Sequence, residues 1–440
     1  MHTKESVIKE IREKKIDIIQ LWFVDILGFL KTISISDREI EAAFEFGKGF
    51  DGSSITGFAE AEESDLLARP DPSTFCILPW HANEHPIARM YCDIFFPSGE
   101  PYSADPRSVL KNMVTKAESM GFEYVVGPEM EYFYFKSADA PEVLDWGGYF
   151  ELIPHDLADS IRNKTIRILE GMGIPVEASH HEVAPSQHEI DIRYCEALEM
   201  ADRVITSRMV IKELASMNGV HATFMPKPLE RVNGSGMHIH QSLFREGTNA
   251  FFSADSKDHL SSTARQFIAG QLKHAREFCC LTNQWVNSYK RLVPGYEAPV
   301  YISWARRNRT AMIRVPDYRP GNDEATRAEI RCPDPACNPY LAFAVLLAAG
   351  LRGIEKGYEL PSAVEPNIYK MGEVERTQRR MGNLPVSLHE AHREMEKSEL
   401  VREVLGEHIF TKFLINKERE WEEYRTQVTP LELRKGLSSL

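Results

Sequence analysis

Long hydrophobic runs and paired cysteines are both scarce in this 440-residue sequence. The longest apolar run, from Tyr340 to Leu351, is shorter than the roughly 18–20 residues that a membrane-crossing helix needs, so we interpret it as a buried helix. The seven cysteines include no CxxC pair, which argues against a disulfide framework and against a cysteine zinc site. Neither a Walker A sequence nor a Rossmann glycine fingerprint occurs, so a nucleotide would have to be held in another way.

Positive charge is also in deficit. Lysine and arginine total 52 against 65 aspartates and glutamates, which gives a formal net charge of -13. Nucleic acids and anionic membranes require a basic surface, so we expect neither as a partner. The first residues lack the apolar core of a signal peptide, which favours a cytoplasmic location. With 43% hydrophobic and 27% charged residues, the chain has the composition of an ordinary globular protein of two or three domains.

The chain divides into two regions by its pattern of helical and apolar segments. Residues 1–102 predict a small mixed sheet with helices, in which one strand covers Phe75–Trp80. A boundary precedes Asp105, because an aspartate cap followed by proline is typical of the start of a helix. We assign residues 103–440 to one larger α+β domain whose final part has helical periodicity.

Two acidic residues lie inside an aromatic segment, FEYVVGPEMEYFYF, that predicts a β-strand. Alternate residues of a strand point the same way, so Glu129 and Glu131 share a face. Two buried carboxylates repel each other and need a counter-charge. The pair is therefore functional, or it lies at a solvated edge, or arginine neutralises it.

A second polar segment, SHHEVAPSQHEIDIRY, brings further acids to neighbouring strand ends. His180 and Glu182 share one strand face, and Glu189 and Asp191 alternate after a proline break. The alternative is a polar strand face that is neutralised by Arg193.

A third segment, NGSGMHIHQSLF, combines glycines with two alternating histidines. Gly234 and Gly236 allow the backbone to approach a ligand closely, and His238 and His240 share a strand face. Any tight turn produces a GxG sequence, but its coupling to HxH favours a ligand site.

Residues 291–331 contain eight arginines, five acids and no lysine. A solvated face would mix lysine with arginine, whereas bidentate clamping of carboxylates and phosphates requires guanidinium groups. Arg327, Glu329 and Arg331 alternate, which predicts one carboxylate between these two guanidinium groups. Ordinary ion pairs are the alternative interpretation.

Together these segments predict an ATP-dependent enzyme that uses two divalent cations. Several carboxylates and one imidazole suit hard cations such as Mg²⁺ or Mn²⁺, and clustered arginines suit phosphoryl transfer. The residues alone leave the phosphate acceptor open, and a guanidino kinase or a carboxylate–thiol ligase would fit them as well.

Several long segments resemble type I glutamine synthetases, and they extend over essentially the whole chain. They include FDGSSITGF, EESDLLARPDP, GPEMEYFYF, HHEVAPSQHEID, NGSGMHIHQSL and RAEIRCPDPACNPYLA. The resemblance implies a β-grasp N-terminal domain, a catalytic domain with a curved antiparallel sheet, and a homododecamer of two stacked hexameric rings. It also implies that ATP drives ligation of ammonia to the γ-carboxylate of L-glutamate through γ-glutamyl phosphate.

The resemblance further implies metal and substrate ligands. The expected metal ligands are Glu131, Glu182 and Glu189 for one ion, and Glu129, His238 and Glu329 for the other. The positions that match ATP contacts are Glu177, Tyr194, His240, Ser242, Arg314 and Arg327. The positions that match glutamate contacts are Asn233, Gly234, His238, Arg291 and Arg331.

Catalytic and ammonium-binding positions follow from the same resemblance. Arg309 matches a residue that steadies the transferring phosphate, and Glu297 matches a glutamate on a closing flap. Asp51, contributed by a neighbouring subunit, would bind and deprotonate ammonium. The expected ammonium site consists of Asp51, Ser54, Tyr149 and Glu182.

Some relatives of this family catalyse a different reaction and join polyamines or ethanolamine to glutamate. Asp51, Tyr149 and Glu297 favour ammonia, because a small cation needs such groups around it. A non-catalytic homologue would have lost metal ligands, and all six are present in the sequence.

Regulatory positions depart from the family pattern. Tyr369 lies where one subgroup carries an adenylylated tyrosine, but the acidic, proline-rich sequence that follows it there is missing, so we expect no adenylylation. Glu60 replaces an arginine that is common in the shorter subgroup, which argues against glutamine feedback through this position. Activation by 2-oxoglutarate and control by a PII-type protein both stay open.

Overall fold

A computed structural model describes residues 2–57, 64–81, 85–152, 155–379 and 381–440. Glu60 lies outside the described residues, and so the prediction about it is not addressed by the structure. Within the described part of the chain, no helix is both long and apolar enough to cross a membrane.

The N-terminal region is a small sheet with helices. Its elements are α1 (Lys4–Glu13), β1 (Ile18–Val24), β2 (Leu30–Ser36), α2 (Ile40–Phe46), β3 (Lys48–Asp51), β4 (Asp65–Pro70), β5 (Cys76–Ile77) and β6 (Ile87–Phe95). The strands follow the order β2-β1-β6-β4-β3, and β5 pairs with β6. Because β1 is parallel to β6 and antiparallel to β2, the predicted mixed sheet is confirmed.

One predicted strand in this region is largely wrong. Only Cys76–Ile77 of the expected Phe75–Trp80 strand pairs with a neighbour, and a 3-10 turn covers Pro79–His81. Proline has no backbone N–H for the strand ladder, which explains why pairing stops before it.

The remainder of the chain forms a larger sheet surrounded by helices. Its elements are α3 (Pro106–Ser119), β7 (Glu123–Phe135), α4 (Asp159–Gly171), β8 (Val176–His181), β9 (Gln187–Ile192), β10 (Cys195–Glu196), α5 (Ala197–Met217), β11 (His221–Thr223), β12 (Met237–Arg245), β13 (Thr248–Asn249), α6 (Ser262–Lys273), α7 (Ala275–Thr282), α8 (Ser288–Arg291), β14 (Trp304–Ala305), β15 (Ile313–Arg314), β16 (Ala328–Ile330), α9 (Pro339–Lys356), α10 (Glu373–Gln378), α11 (Leu388–Glu396), α12 (Glu399–Arg425) and α13 (Pro430–Gly436).

The larger sheet follows the order β14-β15-β16-β12-β7-β9-β8. Its pairings are antiparallel, as predicted, with the exception of the short β14, which pairs with β15 in parallel. The long strand β7 lies near the middle and pairs with both β12 and β9. Strand β7 therefore lies between β12, which carries the two histidines, and β9, which carries further acidic residues.

Helix α3 begins where the sequence predicts. The Asp105 side chain accepts hydrogen bonds from the backbone N–H groups of Arg107 and Ser108, which caps the helix ahead of its first-turn proline. Arg107 then forms ion pairs with Asp93 of β6 and Asp202 of α5. These buried pairs connect the N-terminal sheet to the helices behind the larger sheet.

Helix α9 contains the predicted buried segment, and all its residues from Tyr340 to Leu351 are buried. It packs closely against α6, where a Cβ atom added to Gly270 would lie 2.1 Å from the Ala349 carbonyl oxygen. Glycine at this position therefore lets the two helix backbones approach, and α9 packs mainly among the other helices.

Candidate active site

Strand register aligns the acidic and histidine side chains across the larger sheet. On β7, Glu129 lies opposite His238 of β12 on one side and Asp191 of β9 on the other. Glu131 lies opposite Glu189 in the same way. Because directly opposed side chains start about 5 Å apart, this register assembles segments that are far apart in sequence.

These side chains line a cavity of about 420 Å³. The cavity brings together the six predicted metal ligands and the predicted glutamate contacts, along with four other predicted residues. The predicted residues on its wall are Glu129, Glu131, Tyr149, Glu182, Glu189, Asn233, Gly234, His238, Arg291, Glu297, Arg309, Arg314, Glu329 and Arg331. We call it the carboxylate cavity.

An adjoining cavity of about 340 Å³ contains most of the predicted ATP contacts. They are Glu177, Tyr194, His240, Ser242 and Arg327. Glu129 and Asp191 line both cavities, so the two share a wall, and we call this second space the nucleotide cavity. The remaining predicted ATP contact, Arg314, lies on the wall of the carboxylate cavity instead.

Asp51 and Ser54 line neither of these cavities. Asp51 ends strand β3 of the N-terminal sheet, where its carboxylate accepts hydrogen bonds from the Ser53 hydroxyl at 2.6 Å and the Ser53 N–H at 2.9 Å. These hydrogen bonds hold the pKa of Asp51 below its usual range, so it is a carboxylate at neutral pH. Within one chain, the four predicted ammonium residues are thus split between the N-terminal sheet and the carboxylate cavity.

Two groups of side chains in the carboxylate cavity have donor atoms within 4.8 Å of one another. One group is Glu129, His238 and Glu329, which is the set predicted for one ion. The other contains the predicted Glu182 and Glu189, with His180 in place of Glu131.

Glu131 is held by hydrogen bonds at the edge of these groups. Its Oε2 accepts from Gln187 Nε2 and from the Gly236 N–H, each at 2.9 Å. Its Oε1 lies 3.9 Å from His238 Nε2. Both groups are rich in carboxylate oxygen and contain one imidazole, a donor set that suits Mg²⁺ or Mn²⁺.

Several carboxyl groups of the carboxylate cavity have too little positive charge around them to ionise readily. Burial raises the pKa of Glu131 to about 8, and the nearby Glu182 carboxylate adds to the shift. Burial and the Glu189 carboxylate raise the pKa of Asp191 to about 9. Burial, with Glu131 and Glu129 beside it, also raises the pKa of Glu189. A bound cation would reverse these shifts, since it favours the ionised carboxylates.

Other carboxylates of the cavity are already ionised. Burial opposes ionisation of Glu329, but Arg331, His240 and His238 together outweigh it and lower the pKa to about 2. Burial likewise opposes ionisation of Glu129, but hydrogen bonds with His238 Nδ1 at 2.9 Å and His240 Nε2 at 2.7 Å hold its pKa well below the usual range.

Glu329 lies between two guanidinium groups, but one of them is not the predicted Arg327. Arg331 and Arg314 form its ion pairs, because β15 pairs with β16 so that Arg314 lies opposite Glu329. Arg327 precedes β16, and its Nε donates to His240 Nδ1 at 3.0 Å in the nucleotide cavity. Arg314 therefore lies in the carboxylate cavity, whereas Arg327 lies in the nucleotide cavity.

Sequence reasoning missed the residues that hold the Tyr149 loop. His181 Nε2 lies 3.0 Å from Asp145 Oδ1, and the His181 carbonyl accepts the Phe150 N–H at 3.1 Å. This buried pair joins the loop that carries Tyr149 to the end of strand β8, next to Glu182. The HH sequence could have indicated His181, whereas Asp145 lies far away in the sequence and gives no local signal.

The segment around Glu297 lies at the mouth of the carboxylate cavity. Glu297 has a positive φ of 59°, a conformation uncommon for residues other than glycine, and its Oε2 accepts from Asn233 Nδ2 at 3.1 Å. The Tyr369 hydroxyl donates to the carbonyl of the next residue, Ala298. Contacts from both sides thus fix the predicted flap glutamate over the predicted glutamate contacts.

The shifted pKa of Glu131 predicts a pH-dependent loss of stability without metal. A group with a raised folded-state pKa contributes stability that is fully present below its unfolded value of 4.5 and is lost as the pH rises through about 8. We expect the melting temperature of Glu131→Gln to decrease less than that of wild type between about pH 5 and 8. Thermal unfolding of the metal-free chain measures this slope.

The control is Glu123→Gln, at the exposed start of the same strand. In the wild-type chain, added Mg²⁺ or Mn²⁺ should restore the stability lost at high pH. Equal slopes for wild type and Glu131→Gln would contradict the assignment of a protonated Glu131.

Comparison with known proteins identifies the family. Residues 15–97 match the glutamine synthetase beta-grasp domain, and residues 103–436 match the glutamine synthetase catalytic domain. Curated relatives include the glutamine synthetases of Mycolicibacterium smegmatis, 53% identical over 99% of each chain, and Methanosarcina mazei, 50% identical over 100% of this chain and 98% of the relative. The beta-grasp match confirms the predicted α+β class.

Solved structures agree over the whole length. A GmaS/ADP complex superposes with a TM-score of 0.89 at 32% identity, covering 98% of this chain and 99% of that one. The cryoEM structure of Plasmodium falciparum glutamine synthetase superposes with a TM-score of 0.88 at 26% identity, covering 99% and 98%. The chain belongs to the glutamine synthetase family.

Proposed function

We propose that the carboxylate and nucleotide cavities form one active site that activates glutamate with ATP and then aminates it. The chain is a glutamate–ammonia ligase, and its reaction produces glutamine. The observation that carries the site assignment is the row of buried carboxylates beside buried arginines on adjacent strands. We also propose that the domains divide at residues 102 and 103, just before α3.

Glutamate would lie in the carboxylate cavity. Arg291 and Arg331 are 2% and 7% exposed, so their guanidinium groups are largely desolvated and attract the substrate carboxylates strongly. Gly236 lies against Arg291, since a Cβ atom there would be 2.4 Å from Arg291 Nη2. The glycine therefore leaves room for this arginine at the wall.

ATP would lie in the nucleotide cavity, with its phosphates toward the arginines. Tyr194 offers an exposed ring at the wall, and Arg327 is fixed by its hydrogen bond to His240. The ADP in the complex of the GmaS neighbour supports a nucleotide site in this fold. The γ-phosphate would then be near Arg309 and Arg314, which line the carboxylate cavity.

Divalent cations complete the site. Glu129, His238 and Glu329 would hold one ion, and Glu131, Glu182 and Glu189 would hold the other. Bound Mg²⁺ or Mn²⁺ supplies positive charge that offsets the negative charge developing during phosphoryl transfer. Arg309 and Arg314 supply further positive charge from fixed positions.

The γ-carboxylate of glutamate attacks the γ-phosphate of ATP and releases ADP. The resulting acyl phosphate would react with water, so Glu297 and its segment cover the cavity. Asp51 of a neighbouring subunit binds ammonium with Ser54, Tyr149 and Glu182 and takes up a proton. Ammonia then attacks the activated carbonyl and inorganic phosphate leaves. A homododecamer of two hexameric rings would supply Asp51 at each site.

The test compares ammonium, hydroxylamine, ethanolamine and putrescine as acceptors in the presence of ATP, L-glutamate and Mg²⁺. We expect phosphate release with ammonium and equimolar glutamine by chromatography. Turnover with ethanolamine or putrescine alone would overturn the ammonium-site assignment and favour a γ-glutamyl ligase for larger amines. An absence of turnover with every acceptor would contradict the proposed site itself.

A further inference from the structure

A third cavity, of about 580 Å³, adjoins the active site and has no role in the mechanism above. Six arginines but only two acidic residues line it. Three of these arginines also line the cavities already described: Arg309 and Arg314 the carboxylate cavity, and Arg327 the nucleotide cavity. This arginine cavity therefore lies against the place where the γ-phosphate would be transferred.

The two acidic residues on its wall are already neutralised. Asp317 lies 2.9 Å from Arg307 Nε and 3.8 Å from Arg306 Nε, and Asp258 is bound at 2.5 and 2.6 Å by Arg265, which is not on the wall. Among the described residues, no carboxylate forms an ion pair with Arg319. The wall therefore keeps an excess of positive charge.

Several polar atoms of the wall residues also make no hydrogen bond within the described part of the chain. Arg306 Nε and Thr326 Oγ1 are buried and make no hydrogen bond, and neither does His259 Nδ1. Buried donors in folded proteins nearly always find an acceptor. Thr326 Oγ1 is open to a hydrogen bond, and Arg306 Nε faces the Asp317 carboxylate only at 3.8 Å, beyond hydrogen-bond length. Both groups suit the oxygen atoms of a small anion on this positively charged wall.

We propose that the arginine cavity binds inorganic phosphate after it leaves the γ-glutamyl group. This proposal rests on the proposed function, because that reaction releases phosphate beside Arg309 and Arg314. The ATP phosphates have the same chemistry, but the nucleotide cavity already accounts for the nucleotide on the other side of Arg327. A released anion would move from the shared arginines toward Arg306 and Arg319 without any bond changing.

The test uses the double variant Arg306→Gln/Arg319→Gln in the full chain. Gln keeps much of the side-chain length and removes the charge. We expect the dissociation constant for inorganic phosphate, measured by calorimetry without substrates, to rise by at least about tenfold, since two charge-assisted contacts are lost. The inhibition constant of phosphate as a product should rise similarly, while the KM for ATP stays within about twofold.

Two further variants control for folding and for net charge. Arg319→Gln alone removes an exposed side chain, so it cannot disturb the core and should still weaken phosphate binding by several-fold. Arg393→Gln removes one charge from an exposed ion pair with Glu396 on α11 and should leave phosphate binding unchanged.

Unchanged phosphate binding in both Arg319 variants would overturn the proposal. A KM for ATP that rises as much as the phosphate constants would also overturn it, because the cavity would then hold ATP rather than the product. The calorimetric arm needs no turnover, so phosphate binding that depends on Arg319 would support the cavity assignment even if glutamine formation failed.

Discussion

Glu329→Gln is expected to lower kcat/KM for glutamine formation by at least about a thousandfold. It removes a negative charge that pairs with two guanidinium groups and belongs to a proposed metal-binding group. Glu329 is fully buried, forms ion pairs with Arg314 and Arg331, and lies 3.8 Å from His238 Nδ1. Gln has nearly the same shape, so the loss isolates the effect of charge. Steady-state assays with saturating ATP and ammonium measure it.

The same substitution should weaken metal binding. Glu329 belongs with Glu129 and His238 to one of the two donor groups, and an amide oxygen is a poorer ligand than a carboxylate for a hard cation. Calorimetric titration of the purified chain with Mn²⁺ should show one fewer tight site. A matched control is Glu142→Gln, an exposed glutamate beyond β7, which should keep both sites and full activity.

Loss of Glu329 also leaves two guanidinium groups facing each other without a counter-charge. Removing one partner of a buried ion pair costs about 3–5 kcal/mol of stability. Urea unfolding separates this effect from catalysis, and Glu329→Asp keeps the charge while it shortens the side chain. Wild-type activity of Glu329→Gln would contradict the role of Glu329. If Glu329→Gln does not fold, the activity of Glu329→Asp decides instead.

Strand periodicity predicts which acidic and histidine side chains share one face, because alternate residues of a strand point the same way. Glu129 and Glu131 are predicted to share a face, and so are His238 and His240. In the structure each of these side chains lines the carboxylate cavity, the nucleotide cavity or both. The periodicity does not determine which strands are neighbours. The register of β7 against β12 and β9 depends on the packing of the whole sheet and becomes visible only in the structure.

The errors have the same physical origin. Arg327 and Arg331 alternate around Glu329 in the sequence, but Arg314 forms the second ion pair, because strand pairing brings β15 alongside β16. Asp145 supports His181 from a distant loop and leaves no sequence pattern. Contacts between segments decide these positions, whereas local periodicity decides only the face of a strand.

The position of Asp51 indicates that the proposed mechanism needs more than one chain. Asp51 lies on the N-terminal sheet and lines neither cavity of the proposed active site, so the proposed mechanism requires it from another subunit. We expect Asp51→Ala to lower kcat/KM for ammonium by about 10²–10⁴-fold, the range for loss of a general base. ATP binding should remain nearly unchanged, which equilibrium titration with a fluorescent nucleotide measures.

Asp65→Ala provides the matched control. Asp65 lies directly opposite Asp51 in the pairing of β3 with β4, and both side chains are exposed. A loss of activity in both variants would indicate damage to the N-terminal sheet rather than loss of a base. A nucleotide affinity that falls as far as the activity would contradict the ammonium role of Asp51.

Mixing inactive subunits should restore activity if the site lies between them. When Asp51→Ala and Glu329→Gln chains are unfolded together and reassembled, a random ring combines an intact Asp51 with an intact carboxylate cavity at about one quarter of its sites. Activity should therefore return to about a quarter of the wild-type value, although each variant alone is inactive. Mixed chains that stay as inactive as either parent would show that Asp51 acts within its own chain or not at all.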